Sequence, residues 1–174
     1  DYFGKVAIKG NSIVVGASGD DDKGTGSGSV YVFGLAPPSP PFPPPSPPAP
    51  ATPPALSQHQ KLVASDGTQY DYFGYSVAID GETIVVGAYG DGNDWSLIGC
   101  VYVFVRSGTT WSLQQKLVAS DGAQNDNFGY SVAIDGETIV VGAYGSGGNW
   151  SYIGSAYVFV RSGTSWSEQQ KLVA

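Results

Sequence analysis

The stretch FGYSVAIDGETIVVGAYG occupies residues 73–90 and returns unchanged at 128–145, an offset of 55 residues. A looser copy opens the chain as Phe3-Gly4 followed by VAIKGNSIVVGA, ending at Ala17. Self-similarity at this period is the signature of a repeat architecture. A unit this small cannot bury its own apolar faces, so each copy needs neighbours of its own kind.

The unit reads as four antiparallel strands. Tyr75–Ile79 is the first, rich in β-branched and aromatic residues. Asp80-Gly81 predicts a tight I′ hairpin turn, with Gly10-Asn11 at the same place in the first copy. Thr83–Ala88 is the return strand, Val101–Arg106 the third, Ser107-Gly108-Thr109 the next reversal, and Trp111–Ala119 the fourth. No segment has helical periodicity. Strands one to three are nearly continuous apolar runs, as in a sheet covered on both faces. Strand four carries Gln114, Gln115 and Lys116 and reads as a wetter outer edge. Small residues (Gly74, Ser76, Ala78, Gly87, Ala88) gather in the first two strands. Small inside and bulky outside suits a sheet tapering toward a crowded axis. The expected fold is all-β, with three four-stranded antiparallel blades of the β-propeller type. The expected units are residues 1–64, 65–119 and 120–174.

The Phe-Gly pair followed by Val-Val-Gly-Ala-Tyr resembles the FG-GAP repeat, the blade unit of integrin α-subunit propellers and of many bacterial and algal surface proteins. The tail QKLVASDG ahead of FGYSVAI is similar to the non-integrin branch of that family. The likeness covers residues 1–34 and 56–174 and implies an extracellular or cell-surface setting. One departure matters. Integrin-type copies carry an Asp-x-Asp-x-Asp-Gly calcium loop between strands one and two, and here that place holds only Asp80-Gly81-Glu82 or Asp135-Gly136-Glu137. The family's calcium site does not transfer.

Residues 35–55 break the pattern. All twelve prolines fall between Pro37 and Pro54. Proline lacks the N–H that a sheet requires, so this run predicts a polyproline II rod, roughly 55 Å long for eighteen residues. Strand residues resume at Leu56, and QKLVA at 60–64 aligns with 115–119. The segment is therefore an insertion in the strand three–four turn of the first blade. Serines within the proline run resemble the hydroxyproline-rich glycoproteins of plant and green-algal walls. That resemblance implies hydroxylated, sugar-bearing prolines such as Pro38, Pro41, Pro44 and Pro48, with Ser39, Ser46 and Thr52 as further attachment points. The competing reading is a bare loop that serves as a ligand for a polyproline-binding surface.

Strand direction alternates, so the loops sort by parity. The 2–3 loops and the 4–1 segments between blades share one end. That end collects Asp1, Asp20, Asp21, Asp22, Asp66, Asp71, Asp91, Asp94, Asp121 and Asp126, against a single base, Lys23. The other end carries Arg106, Arg161 and the proline insertion. Asp20, Asp21 and Asp22, with Asp91 and Asp94, are candidate ligands for a hard cation such as calcium. Ordinary turn chemistry is the competing explanation. Trp95, Trp150 and Tyr152 in the 2–3 loops are candidate sugar-stacking aromatics, with blade-capping as the alternative. Asn149-Trp150-Ser151 is an N-glycosylation sequon. Trp111 and Trp166 are expected to pack, and Cys100 to be a small buried filler.

The formal charge of −7 argues against nucleic-acid binding. No apolar run is long enough to cross a bilayer. The only histidine, His59, stands where the next copy has Gln114, and no phosphate-cradling or zinc-protease motif occurs. The expectation is a non-enzymatic extracellular, cell-surface or cell-wall structural or adhesive protein. It needs no cofactor, with calcium as the candidate exception. Its partners are further copies of the same repeat and attached glycans. The alternative is a carbohydrate- or calcium-dependent binding module using the acidic loops.

Overall fold

The computed structural model describes residues 4–35, 56–92, 96–146 and 153–173. They form twelve strands and, among the described residues, no helix. The first sheet contains β1 (Val6–Lys9), β2 (Ser12–Ala17), β3 (Ser29–Leu35) and β4 (Leu56–Leu62). The second contains β5 (Ser76–Asp80), β6 (Thr83–Ala88), β7 (Cys100–Ser107) and β8 (Thr110–Leu117). The third contains β9 (Phe128–Asp135), β10 (Thr138–Ala143), β11 (Ser155–Ser162) and β12 (Ser165–Val173). Each sheet is an antiparallel meander in sequence order. The register repeats too. A bulge falls at Val32/Phe33, at Val103/Phe104 and at Val158/Phe159.

The first hairpin turn differs from expectation. Asp80 pairs with Thr83, so the two central residues are Gly81 and Glu82. Only Gly81 of the two has positive φ, +53°. That is the pattern of a II′ turn, with glycine first, and not of a I′ turn centred on Asp80-Gly81. Asp80 is thereby freed to act through its side chain. It accepts a hydrogen bond from the backbone N–H of Gly136 at 2.7 Å and pairs with Lys9 at 2.9 Å, linking the hairpin tips of all three blades.

The sheets stack face to face, with their first strands closest together. β1 lies against β5, and β5 against β9, while the fourth strands meet at few points. Glycine explains the close approach. A Cβ on Gly16 would lie 1.9 Å from the carbonyl oxygen of Gly74, and one on Gly87 would lie 2.0 Å from that of Gly129. In the first two blades, the glycine of the Val-Val-Gly-Ala run thus seats the Phe-Gly glycine of the next blade.

Two dry layers result. Val14, Val30, Val32 and Leu62 of the first blade meet Phe73, Ile84, Val86, Tyr102 and Trp111 of the second. Val85, Val101, Val103 and Leu117 of the second meet the corresponding Phe128, Ile139, Val141, Tyr157 and Trp166 of the third. At the outer rim, the Gln60 side-chain amide donates to the Trp111 carbonyl and accepts from its N–H, both at 2.8 Å. Gln115 does the same with Trp166. Both tryptophans are buried, and so is Cys100. Leu35 pairs with Leu56, so the proline-rich insertion leaves and re-enters the first sheet at adjacent strand ends.

Candidate functional site

The loops at one end of the blades pair across the blade boundary. Tyr70, Tyr72 and Phe73 donate backbone N–H groups to the carbonyls of Thr25, Gly26 and Ser27 in the preceding 2–3 loop. Asn125, Asn127 and Phe128 repeat this with Ser96, Leu97 and Ile98. The geometry needs left-handed backbone at Tyr70 (φ 67°), Tyr72 (55°), Asn125 (67°) and Asn127 (56°). Tyrosine is an uncommon occupant of that region. Only the asparagines of the third copy are residues that favour it. Asp71 and Asp126 brace the segment: Asp71 accepts from the Thr68 N–H and hydroxyl, Asp126 from the Ala123 N–H. Burial pushes the Asp71 carboxyl above its usual range.

The acidic residues of this end are not left to solvent. Lys61 of β4 pairs with Asp20 at 2.8 Å and with Asp22, and Asp20 also accepts from the Tyr31 hydroxyl at 3.0 Å. Lys116 of β8 pairs with Asp66 at 2.7 Å and Asp91 at 2.5 Å, and the Tyr102 hydroxyl donates to Asp66 at 2.8 Å. Lys171 of β12 pairs with Asp121 at 2.7 Å, where Tyr157 donates as well. Each ammonium also sits over its tyrosine ring, 5.0 to 5.1 Å from the centroid. Burial works to raise the Asp20 carboxyl, but the bonds from Lys61 and Tyr31 prevail and bring it down to about 2. Burial works against all three lysine charges, yet the carboxylates hold their pKa above the usual lysine range.

The loops therefore share one end, as parity requires, but the expected single base is corrected. Lys61, Lys116 and Lys171 reach that end from strand four and join Lys23, which donates to the carbonyls of Ala64 and Ser65. Loop membership alone does not locate their charges, because a lysine stem spans several residues of strand. Of the cation candidates, Asp20 and Asp22 share Lys61, Asp91 is held by Lys116, and Asp21 accepts from the Gly26 N–H. No group of three or more His, Cys, Asp or Glu among the described residues is arranged to hold a metal ion. Asp94, Trp95, Asn149, Trp150 and Tyr152 lie outside the described residues, as do Pro38, Ser39, Pro41, Pro44, Ser46, Pro48 and Thr52.

This end also holds a group of tyrosines outside the expected site residues. Tyr75 and Tyr130 follow the Phe-Gly pairs, Tyr89 and Tyr144 follow Gly-Ala, and their rings form one group. Centroid separations are 4.5 Å for Tyr75–Tyr89, 4.9 Å for Tyr75–Tyr130 and 4.5 Å for Tyr130–Tyr144. The signal was present in the repeated Phe-Gly-Tyr and Gly-Ala-Tyr triplets.

Four-stranded sheets in radial succession, with narrow glycine-rich inner strands and wide aromatic outer ones, define blades of the β-propeller type. The FG-GAP repeat profile matches residues 1–33, 56–104 and 111–159, well over half the chain, and the protein belongs to the FG-GAP repeat family. The second and third matches each begin in strand four of one sheet and run through strand three of the next. The family unit is thus out of step with the sheet and straddles the interface between blades. FG-GAP repeats are a binding and structural repeat type typical of extracellular and cell-surface proteins. The chain has no significant match among curated proteins.

Proposed function

We propose that the protein is a non-enzymatic extracellular scaffold of adhesive type whose blades associate with further blades of the same kind, in the same chain or another, to build an array. One observation supports this most. The run TIVVGA is wholly buried in β6, where a blade lies on each side, and alternates between buried and open in β10. In the third blade Val140 and Leu172 are 37% and 44% exposed, while their counterparts Val85 and Leu117 are at 0% and 2%. The polar parts of the interface are in place there as well: Asp135, Gly142 and Gln170 stand where Asp80, Gly87 and Gln115 engage the next blade. An open, heterologous contact of this kind builds rings or filaments.

In this reading the proline-rich insertion is a spacer that carries sugars on Ser39, Ser46, Thr52 and hydroxylated prolines, and Asn149 is a further glycan site. The non-enzymatic role is supported by the family and by the repeated lysine–aspartate–tyrosine contacts that engage Asp20, Asp66 and Asp121 at the loop end. Sedimentation equilibrium of the chain over a hundredfold concentration range tests the assembly. Weight-average mass is expected to rise with concentration, and Val140→Asp to reduce that rise by removing the blade-to-blade part of it. A single monomer mass throughout would remove the scaffold reading.

A further inference from the structure

The tyrosine group at the loop end has chemistry of its own. Tyr72 stacks on Tyr89 with centroids 5.1 Å apart and planes 4° from parallel, and Tyr89 lies 5.6 Å from Tyr130, which leads on to Tyr144. With Tyr75 alongside, this makes a row of phenol rings crossing from the second blade to the third. It is separate from the buried aromatics of the interface such as Phe73, Tyr102 and Trp111. Tyr130 is 38% exposed and Tyr144 46%. The first blade lacks the row: it is one residue shorter after Phe-Gly, with no counterpart to Tyr75, and has Ser18 in place of Tyr89, while the Lys5 ammonium lies 5.8 Å from the Tyr75 ring centre. The hydrogen bond with Tyr130 and partial burial push the Tyr75 phenol up to about 12, so it stays a neutral donor.

Surfaces of this composition suit a polyproline II ligand. A polyproline II helix presents flat pyrrolidine rings that pack on aromatic faces, and carbonyls that accept from phenol hydroxyls because its backbone has no internal hydrogen bonds. Its turn of roughly 9 Å spans about two ring-to-ring steps of the row. It binds at low entropic cost because it is already extended. This chain itself carries a sequence with the composition of such a ligand. Residues 35–55 hold every proline of the sequence and no charged side chain, which matches an uncharged tyrosine row. Parity puts the two on opposite ends of the blades: the insertion joins β3 to β4, whereas the tyrosines adjoin the 2–3 loops and the 4–1 segments.

We propose that the tyrosine row formed by Tyr72, Tyr75, Tyr89, Tyr130 and Tyr144 is a docking groove for a polyproline II segment, and that its occupant is the proline-rich insertion, residues 37–54, of a second copy of this chain. The contact runs from one end of a molecule to the opposite end of the next. It is thus independent of the blade-to-blade faces and adds a second direction of growth to the array.

The test is titration of the whole chain with an unmodified synthetic peptide of residues 36–55, followed by calorimetry and by NMR of the tyrosine rings. Saturable binding is expected. The double variant Tyr130→Ala/Tyr144→Ala should weaken it at least tenfold with an unchanged far-ultraviolet spectrum, and Tyr130→Phe, which keeps the ring, should weaken it less. A peptide with alternate prolines replaced by alanine should bind at least tenfold more weakly. Excess intact peptide should also lower the weight-average mass of the full chain, and this effect should persist in Val140→Asp, whose blade faces no longer associate. Absence of saturable binding, equal binding by the double variant, or an unchanged mass under excess peptide would each overturn the proposal. Binding of a soluble β-glucan hexasaccharide to the row in place of the peptide would overturn it in favour of a sugar platform.

Discussion

The second and third blades share the sequence FGYSVAIDGETIVVGAYG residue for residue, yet they differ in how dry they are. In β6 all six residues of TIVVGA are buried, whereas in β10 three of the six are. The backbone pairing is the same, with Val85 opposite Val103 and Val140 opposite Val158. Identical residues in identical strands thus differ only through what stands beside them. Local sequence fixes the strand, and the neighbouring blade fixes its burial. Stability in such a molecule belongs to the interfaces as much as to the units.

The comparison is broken most severely at the inner glycines. Gly87→Ala should destabilise the folded chain by about 3 kcal/mol or more, because the new methyl meets the Gly129 backbone and the blades have to separate. Gly142→Ala should cost under about 1 kcal/mol, since its methyl meets only the Ser131 side chain of the same blade. Chemical denaturation followed by tryptophan fluorescence checks the pair. Leu117→Ala should cost about 2–4 kcal/mol through the cavity left against the third blade. Leu172→Ala, on the open face, should cost less than about 1 kcal/mol. Equal effects of the two leucines would show that the faces of these blades do not differ in solution.

Acid sharpens the contrast between the first and third blades, because Lys61 holds two carboxylates and Lys171 one. The Asp20 carboxyl is depressed in the folded chain from 3.8 to about 2. Its contribution is therefore complete above about pH 4 and is lost as pH falls through 2. The contribution is about 2 kcal/mol. Melting temperature against pH should fall over this window, and Asp20→Asn should flatten that part of the curve. The smallest effect is expected at the rim. Gln115→Ala deprives the Trp166 N–H and carbonyl of partners and should cost about 1–2 kcal/mol. Gln170→Ala should stay within about 0.5 kcal/mol by the same denaturation measurement.

Much of the fold was legible because repetition fixes period, and alternating turns fix strand count. The strand ends moved by only one or two residues: Tyr75–Ile79 became Ser76–Asp80, and Trp111–Ala119 became Thr110–Leu117. The II′ turn was misread because Asp-Gly is the commonest I′ signal, and only cross-strand pairing shows which residues are central. The candidate site was less legible. Parity placed the loops at their ends, but the reach of Lys61, Lys116 and Lys171 along the sheet depends on strand length and twist. The tyrosine row depends on how closely two blades approach at Gly87 and Gly129, a distance no single repeat encodes.

Amide hydrogen exchange measured by NMR on β6 and β10 in dilute protein tests most directly whether neighbours supply the burial. The amides of Ile84–Val86 are expected to exchange at least tenfold more slowly than those of Ile139–Val141, and the gap to narrow as protein concentration rises and the open face is covered. Equal protection of the two strands in dilute solution would contradict it.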